Sequence, residues 1–431
     1  MARPVSSSLR SKANFLWNGL RATLTAINLL LALGMLGVYA IPWLDPRWFA
    51  PLALVGFLYY PLLIGLIACA VLWILRKNHR FWISLAVLAL GFRVHPVWWH
   101  GSLSEDGALY TQALIQGEIH SNLPNSTKQW KVISYNVGFF QYPDALEGSP
   151  KPIFSSRDFL IKLLNVVQPD LVGLQDFISW EPNRPDVLRS LMLHPGLRGY
   201  TMIGQDVKRR SFLLSLDANF SADSNRLRHK GGERVHAESD HLTTWVGGMV
   251  MLTRRPVLNF GYQNLGEPGH NGGMMWADIL LAEDTLRWLN LHLASNRISP
   301  PELGPIRTLD LQNDSSQRTI KGILRKIVSS ARLRAEQAHK IKKFMDGSPY
   351  PLLVTGDFND LPYSYTVNRI QDKLDDSFVR KGKGMGNTYA RGFPSFRIDH
   401  IMIDPRFPIQ SHEVVQLRYS DHYPLVAVLG R

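Results

Sequence analysis

Residues 24–41, LTAINLLLALGMLGVYAI, run for eighteen positions without a charged side chain. Such a run must satisfy its backbone polar groups internally, as a helix does, and it is long enough to cross a bilayer core. A second uncharged run, residues 50–75, follows closely, so the first does not read as a cleaved signal on its own. A third begins with FWISLAVLALGF at residues 81–92, is interrupted by Arg93 and finishes with VHPVWW. Trp98 and Trp99 read as an interfacial belt. Residues 1–100 are therefore predicted to form a membrane domain with about three spans, at 24–41, 50–75 and 81–99. The third run is short, and a signal-anchor or interfacial helix is its alternative.

Charge supports the same division. The chain of 431 residues has a formal net charge of +13. Nine Lys and Arg against the single acid Asp45 give +8 in the first hundred residues and leave +5 for the other 331. Most of the excess thus flanks hydrophobic segments. The N-terminal tail (Arg3, Arg10, Lys12, Arg21) and the loop RKNHR at 76–80 are basic, while the loop around Asp45 and Arg47 is neutral. The bias of Lys and Arg toward the cytoplasm places the N-terminus and residues 76–80 there. Three crossings then deliver everything after residue 100 to the outer side. If the third run does not cross, the large domain is cytoplasmic. Cys69 is the only cysteine, so no internal disulfide can form and zinc sites rich in cysteine are excluded.

Residues 101–128 are polar and turn-rich and read as a linker or short amphipathic connector. From residue 129 onward, strand and helix patterns alternate, predicting a layered α/β domain of residues 129–431. WKVISYN is a buried strand ending at Asn136, and LVGLQDF is another ending at Gln175 and Asp176. FLIKLLNVVQPD (159–170) has helical spacing and stops at Pro169. Residues 247–260 and 274–293 read as strands, with AEDT as a turn. Residues 318–346 read as a long helix, followed by strands in LLVTGDFND (352–360), FRIDHIMI (396–403) and YSDHYPLVAVL (419–429). Residues 205–246 are polar, basic and poorly periodic, the pattern of a long surface insertion.

The apolar runs share one habit: each ends on acid, amide or imidazole. The tips are Asn136, Asp176, Asn290 with His292, Asp357 with Asn359, Asp399, and Asp421 with His422. Taken singly, these are ordinary turn or cap residues. Six such ends with almost no intervening Lys or Arg suggest hard oxygen ligands gathered on one sheet edge, a set suited to Mg²⁺ or Mn²⁺.

The motifs SYNV, QPDLVGLQD, LNLHL, GDFND, RIDHIMI and SDHYP occur in the order found in the endonuclease/exonuclease/phosphatase superfamily, which this chain resembles over roughly residues 130–429. The three spans, RAEQA, SPYPLLVTGDFND and GKGMGNTY more closely resemble bacterial membrane-attached members. The resemblance implies a DNase I-like fold, a four-layered αββα sandwich, and divalent-metal-dependent hydrolysis of a phosphate ester at the bacterial inner membrane. It implies that Asp176, Asn136 and Asp421 serve the metal, and that Asp357 orients and deprotonates the attacking water. Asn359 would hold that water or a phosphoryl oxygen, and His292 and His422 would donate to phosphoryl oxygens. Asp399 would fix the tautomer of His422. One departure stands out: the family usually has QE where this chain has Gln175–Asp176.

The fold does not choose a substrate. The span 318–343 has nine Lys and Arg and only Glu336 as acid. Such a face is usually just solvated, yet it is also suited to anionic lipid headgroups or nucleic acid. The anchor favours membrane lipids or extracytoplasmic phosphoesters over nucleic acid, and no protein partner is evident. The alternatives are a membrane-anchored nuclease and a non-catalytic binding or scaffold protein on the same fold.

Overall fold

The computed structural model describes residues 7–101, 108–116, 129–140, 155–178, 199–205, 211–216, 227–229, 247–266, 272–281, 284–307, 313–390 and 396–430. Fourteen strands are present among these residues. The first seven are β1 (Gln129–Asn136), β2 (Leu171–Ile178), β3 (Tyr200–Gln205), β4 (Ser211–Leu216), β5 (Leu227–His229), β6 (Gly247–Thr253) and β7 (Val257–Asn264). The others are β8 (Gly273–Leu281), β9 (Asp284–His292), β10 (Leu352–Asp357), β11 (Asp375–Asp376), β12 (Asp399–Ile403), β13 (Ile409–Val414) and β14 (Leu425–Gly430). They form an eight-stranded sheet in the order β13-β14-β1-β2-β6-β3-β4-β5 and a six-stranded sheet in the order β11-β12-β10-β9-β8-β7. Both sheets are mixed: β1 with β2 and β9 with β10 are parallel, and the remaining pairs are antiparallel.

The continuous apolar runs of the sequence have a structural reason, since central strands are covered on both faces. Trp130, Val132, Leu171, Met251, Trp288, Leu353 and Ile401 fill the space between the sheets. On the outside of the larger sheet, the helix Ser156–Val167 buries Phe159, Leu160, Leu163 and Leu164. On the outside of the smaller sheet, the helix Asp314–Asp346 contributes Ala338, Ile341 and Met345. Helix, sheet, sheet and helix make the expected αββα sandwich. The strands β3, β11 and β13 have no counterpart in the sequence reading, because each is short or lies between stronger patterns.

Three expectations are refined. The connector takes its amphipathic alternative over Leu109–Gln116, a helix whose Tyr110, Ala113 and Leu114 are buried in the outer core of the larger sheet. Glu413 anchors it by accepting from the backbone N–H groups of Tyr110 and Thr111. The rest of residues 102–107 and 117–128 lies outside the described residues. The expected insertion at 205–246 contributes β4 and β5 to the sheet edge, and its other residues from 206 onward lie outside those described.

The third concerns the N-terminal region. Two stretches are long and apolar enough to cross a membrane, Asn18–Trp43 and Pro46–Leu75. The second is not one regular helix: Ala50–Leu58 is a 3₁₀ stretch, and the α-helix proper is Tyr59–Leu75. The third run gives only the helix Phe81–Leu90, followed by turns and the short helix His95–Trp98. Ten α-helical residues rise about 15 Å, half of a hydrocarbon core of about 30 Å.

The N-terminal region is packed onto the sandwich rather than tethered to it. Asp45 Oδ2 lies 3.2 Å from His339 Nε2 and accepts from Tyr365 Oη at 3.2 Å. Phe57 meets Phe396 edge to face at 5.3 Å. Leu361 is buried in a cluster with Ile41, Tyr59 and Trp98. His100 and Gly384 exchange both backbone hydrogen bonds, and the buried Arg397 donates to Val97 O at 3.1 Å.

Candidate active site

Register gathers most of the polar tips. Asp357 at the end of β10 pairs with His292 on β9 and with Asp399 on β12, so three side chains stand abreast on one face. Asn136 ends β1 in the facing sheet, level with Gln175 of β2. The cluster therefore spans both sheets at their common edge.

Asp357 is its centre and is 1 % exposed. Its Oδ2 accepts from Asn136 Nδ2 at 3.0 Å and Asn359 Nδ2 at 3.1 Å, and its Oδ1 accepts from Asn359 N at 2.8 Å. His292 Nε2 and His422 Nε2 each lie 3.7 Å from that same Oδ2. Burial raises the Asp357 carboxyl above the usual range, and the nearby imidazoles hold it back. Asn359 sits at φ +51, a left-handed backbone that asparagine tolerates better than most residues, and also donates to Leu293 O at 3.0 Å.

His422 Nδ1 lies 2.8 Å from Asp399 Oδ2. Burial alone would lower its pKa, but Asp399 and Asp357 more than offset that and hold the imidazole at about 10. Asp399 aims the ring through Nδ1 and favours its protonated form. The three groups Asp357, Asp399 and His422 lie close enough together to hold an ion. The 2.8 Å contact engages His422 Nδ1 with Asp399, and His422 Nε2 faces Asp357 Oδ2 at 3.7 Å.

Asp176 is reached by an unexpected route. The strand β2 does not end there but runs on to Ile178, with a register shift against β6 between Gln175 and Phe177. Asp176 occupies this β-bulge at φ +48, and the bulge re-aims its side chain. The half-buried carboxylate accepts from Asn136 Nδ2 at 3.3 Å and lies 3.6 Å from His292 Nδ1. Burial raises its pKa, His292 opposes that, and Asp357 adds to it. A carboxylate so placed has lone pairs to spare and would gain from a cation. Asn136 turns its Nδ2 toward Asp176 while its Oδ1 accepts from Gly138 N at 3.0 Å, so the Asp176 carboxylate is the oxygen ligand suited to a hard divalent ion here.

Other tips do different work. Asp421 accepts from Ser420 Oγ at 3.3 Å and stands over Gly138, where an added Cβ would meet its Oδ1 at 3.0 Å. Asn290 does not reach the site: it is fully buried, donates to Leu174 O and accepts from Gln175 Nε2 at 2.6 Å, tying the two sheets together. Asp360, the last acid of GDFND, is 3.1 Å from the buried Arg334 and is engaged there.

Residues 133–422 match the model of the endonuclease/exonuclease/phosphatase family, a stretch that takes in every one of these tips. The chain belongs to that family. Its members are generally hydrolases of phosphoesters, and they are typically dependent on a divalent metal. Residues 21–98 match a domain of unknown function, DUF8431. Among solved structures, the chain is similar to an endonuclease/exonuclease/phosphatase from Beutenbergia cavernae at 15% identity, with 70% of this chain and 72% of that one covered and a TM-score of 0.44. It is similar to a mannosyl-6-phosphatase from Bacteroides thetaiotaomicron at 17% identity, covering 70% and 100%, with a TM-score of 0.41. A humanized D. rerio TDP2 gives 14% identity, 71% and 100% coverage, and a TM-score of 0.43. No curated protein matches the sequence.

Sequence reasoning did not single out two supports of this candidate site. Thr388 Oγ1 accepts from the backbone N–H groups of Ile398 and Asp399, fixing the start of β12. Tyr389 packs edge-on against the His422 ring at 5.2 Å. Both lie in GKGMGNTY, so the signal was an unexplained Thr-Tyr pair shortly before the RID strand.

Proposed function

We propose that this chain is a membrane-anchored, divalent-metal-dependent phosphoesterase acting on a lipid headgroup or another extracytoplasmic phosphoester. The observation that carries the reading is Asp357: a buried carboxylate oriented by two amides, with His292 and His422 each 3.7 Å from one oxygen. Water attacks phosphorus in line, and Asp357 takes the proton that leaves it as the P–O bond forms. Asn359 orients that water or a phosphoryl oxygen. His292 and the protonated His422 donate to phosphoryl oxygens, where charge accumulates as the ester P–O bond breaks, and the leaving oxygen departs as an alcohol after taking a proton from solvent. Asp399 keeps His422 charged. Asp176 would hold Mg²⁺ or Mn²⁺, with Asn136 donating to its carboxylate and Asp421 adding negative charge nearby; bound there, the ion would neutralise phosphoryl charge.

The test is turnover by the full chain in detergent against lysophospholipid, sphingomyelin, inositol phosphate, DNA and RNA, with Mg²⁺ or Mn²⁺. Activity should vanish in EDTA and return on adding the ion. Undiminished activity in EDTA would end the metal mechanism. Activity on DNA or RNA alone would make the protein a nuclease, and silence on the whole panel would favour a scaffold.

The proposed organisation is a membrane domain over residues 1–100, a connector, and a catalytic domain over 129–431 facing away from the cytoplasm. Two sets of contacts support this orientation. Residues 41–58 and residues 97–100 both touch the sandwich, so both ends of the 59–90 hairpin return to its side. The basic turn at 76–80 joins the far ends of that hairpin. For the short third run to return the chain, Phe81–Leu90 must act together with residues 91–98. Alkaline phosphatase fused after Arg431 should be active and a cytoplasm-dependent reporter silent. The reverse pattern would place the catalytic domain in the cytoplasm.

A further inference from the structure

The outward face of the helix Asp314–Asp346 carries Arg318, Lys321, Arg325, Arg332, Lys340 and Lys343, all exposed. Their spacings of three, four, seven, eight and three residues fall on one stripe of a 3.6-residue helix. The opposite face is buried through Ile323, Ile327, Ala338, Ile341 and Met345. The helix's other cations are engaged. Lys326 pairs with Glu302 at 2.6 Å, Lys342 pairs with Asp346 and Asp372, and Arg334 is buried against Asp360. Among the described residues, Lys321, Arg325, Arg332 and Lys343 make no side-chain hydrogen bond or ion pair. Glu336 is the single acid between Arg318 and Lys343, and Asp314 stands one turn before Arg318 on the same face.

The surroundings select a partner. The flank of the helix beside the stripe packs against the N-terminal region, with His339 on Asp45 and Ala331 lining a groove with Phe49, Leu52 and Ala53. Just beyond that contact Trp43, Trp48 and Phe49 are 68%, 80% and 51% exposed, and Leu324 on the helix is 42% exposed. Exposed aromatics, Trp43 among them although it packs edge-on against Tyr363, near four cations without side-chain partners and beside helices long enough to cross a membrane, are what the headgroup layer of a bilayer stabilises. Nucleic acid would match the cations but leave the leucine and the apolar edge without a partner.

We propose that this stripe, together with Trp43, Trp48 and Phe49, lies on the headgroup layer and binds anionic lipid. The inference rests on the membrane-anchored reading and adds the charge of the lipid that the catalytic domain faces. Each Lys or Arg near an anionic surface favours contact by roughly fivefold.

The test uses the full chain with Cys69→Ser and Ser329→Cys, a fluorophore at 329 on the exposed stripe, and nanodiscs containing a lipid with a nitroxide on its headgroup. Quenching should be at least about twofold stronger in discs of phosphatidylglycerol and phosphatidylcholine than in phosphatidylcholine alone. It should fall to the zwitterionic level in high salt and in the quadruple variant Arg318→Gln, Lys321→Gln, Arg325→Gln, Arg332→Gln. Turnover of a soluble phosphoester by that variant should be unchanged, which shows that it folds. Equal quenching in both lipids would overturn the inference while leaving the anchor intact. Capture of a short single-stranded oligonucleotide by the stripe, with no response to lipid charge, would overturn it in favour of nucleic acid. A chain that stays soluble without detergent or lipid would overturn the anchor and the inference together.

Discussion

Asp357→Asn should lower turnover by about 100-fold or more while stability moves little. Two opposing effects set the stability. The carboxyl is buried and its pKa is raised above the ordinary value, so at neutral pH the folded state bears an ionised group it would rather protonate. A carboxyl raised in the folded state weakens folding at pH values above its unfolded pKa, and that penalty fades as pH falls. The amide removes that charge, but both carboxyl oxygens accept from N–H groups, so its NH2 must face Asn359 N or the side-chain amides of Asn136 and Asn359 and leave buried donors unpaired. The melting temperature at pH 7 without added metal should therefore stay close to the parent's, and the gain from removing the charge should fade toward pH 4. Chemistry suffers because the amide cannot accept the proton of water. A clear drop in melting temperature with normal turnover would show that Asp357 is structural. His422→Ala should also cost activity by about 100-fold. Asn359→Ala is a poorer probe, because alanine at φ +51 adds strain that an activity loss alone does not separate from chemistry.

Asp176→Ala should raise the Mg²⁺ needed for half-maximal rate by on the order of tenfold or more. The side chain has one methylene fewer than a glutamate would have there, and its backbone belongs to a β-bulge held by the sheet on either side. It cannot slide freely toward an ion, but Mg²⁺ commonly keeps several waters, and a bridging water spans such a gap. Asp176→Glu should reach half-maximal rate at equal or lower metal. It should also melt slightly lower, since φ +48 suits short acidic or amide side chains better than long ones. Asp176→Asn keeps the backbone preference and removes only the charge, so it separates ligation from bulge geometry. If Asp176→Ala and Asp176→Asn show the parent's metal requirement, Asp176 is not a ligand and the site is arranged differently.

Much of this was legible because a sheet's central strands are buried on both faces and change character where they leave the core. WKVISYN, LNLHL and VTGDFND each announce a strand and its polar end within a few residues. The helix at 318–346 was equally plain, and its true start lies slightly earlier, where Asn313 caps it by accepting from Ser315 N. Asn290 and His292 looked alike in sequence. Their period-2 spacing puts them on one face of β9, yet Asn290 falls between the sheets and His292 falls at the edge.

The amino-acid sequence by itself determined the local facts: which stretches avoid water, where strands end, and which residue types stand at those ends. Those depend on neighbours a few positions apart. Only the tertiary structure decided which ends meet. His292, Asp357 and Asp399 stand abreast because β9, β10 and β12 pair in one register, a long-range match that no local pattern encodes. The bulge that turns Asp176, the pairing that occupies Asp360, and the docking of residues 41–58 beside a free basic stripe are likewise products of packing. Each depends on contacts between residues far apart in the chain, whose energies exist only after the layers have closed.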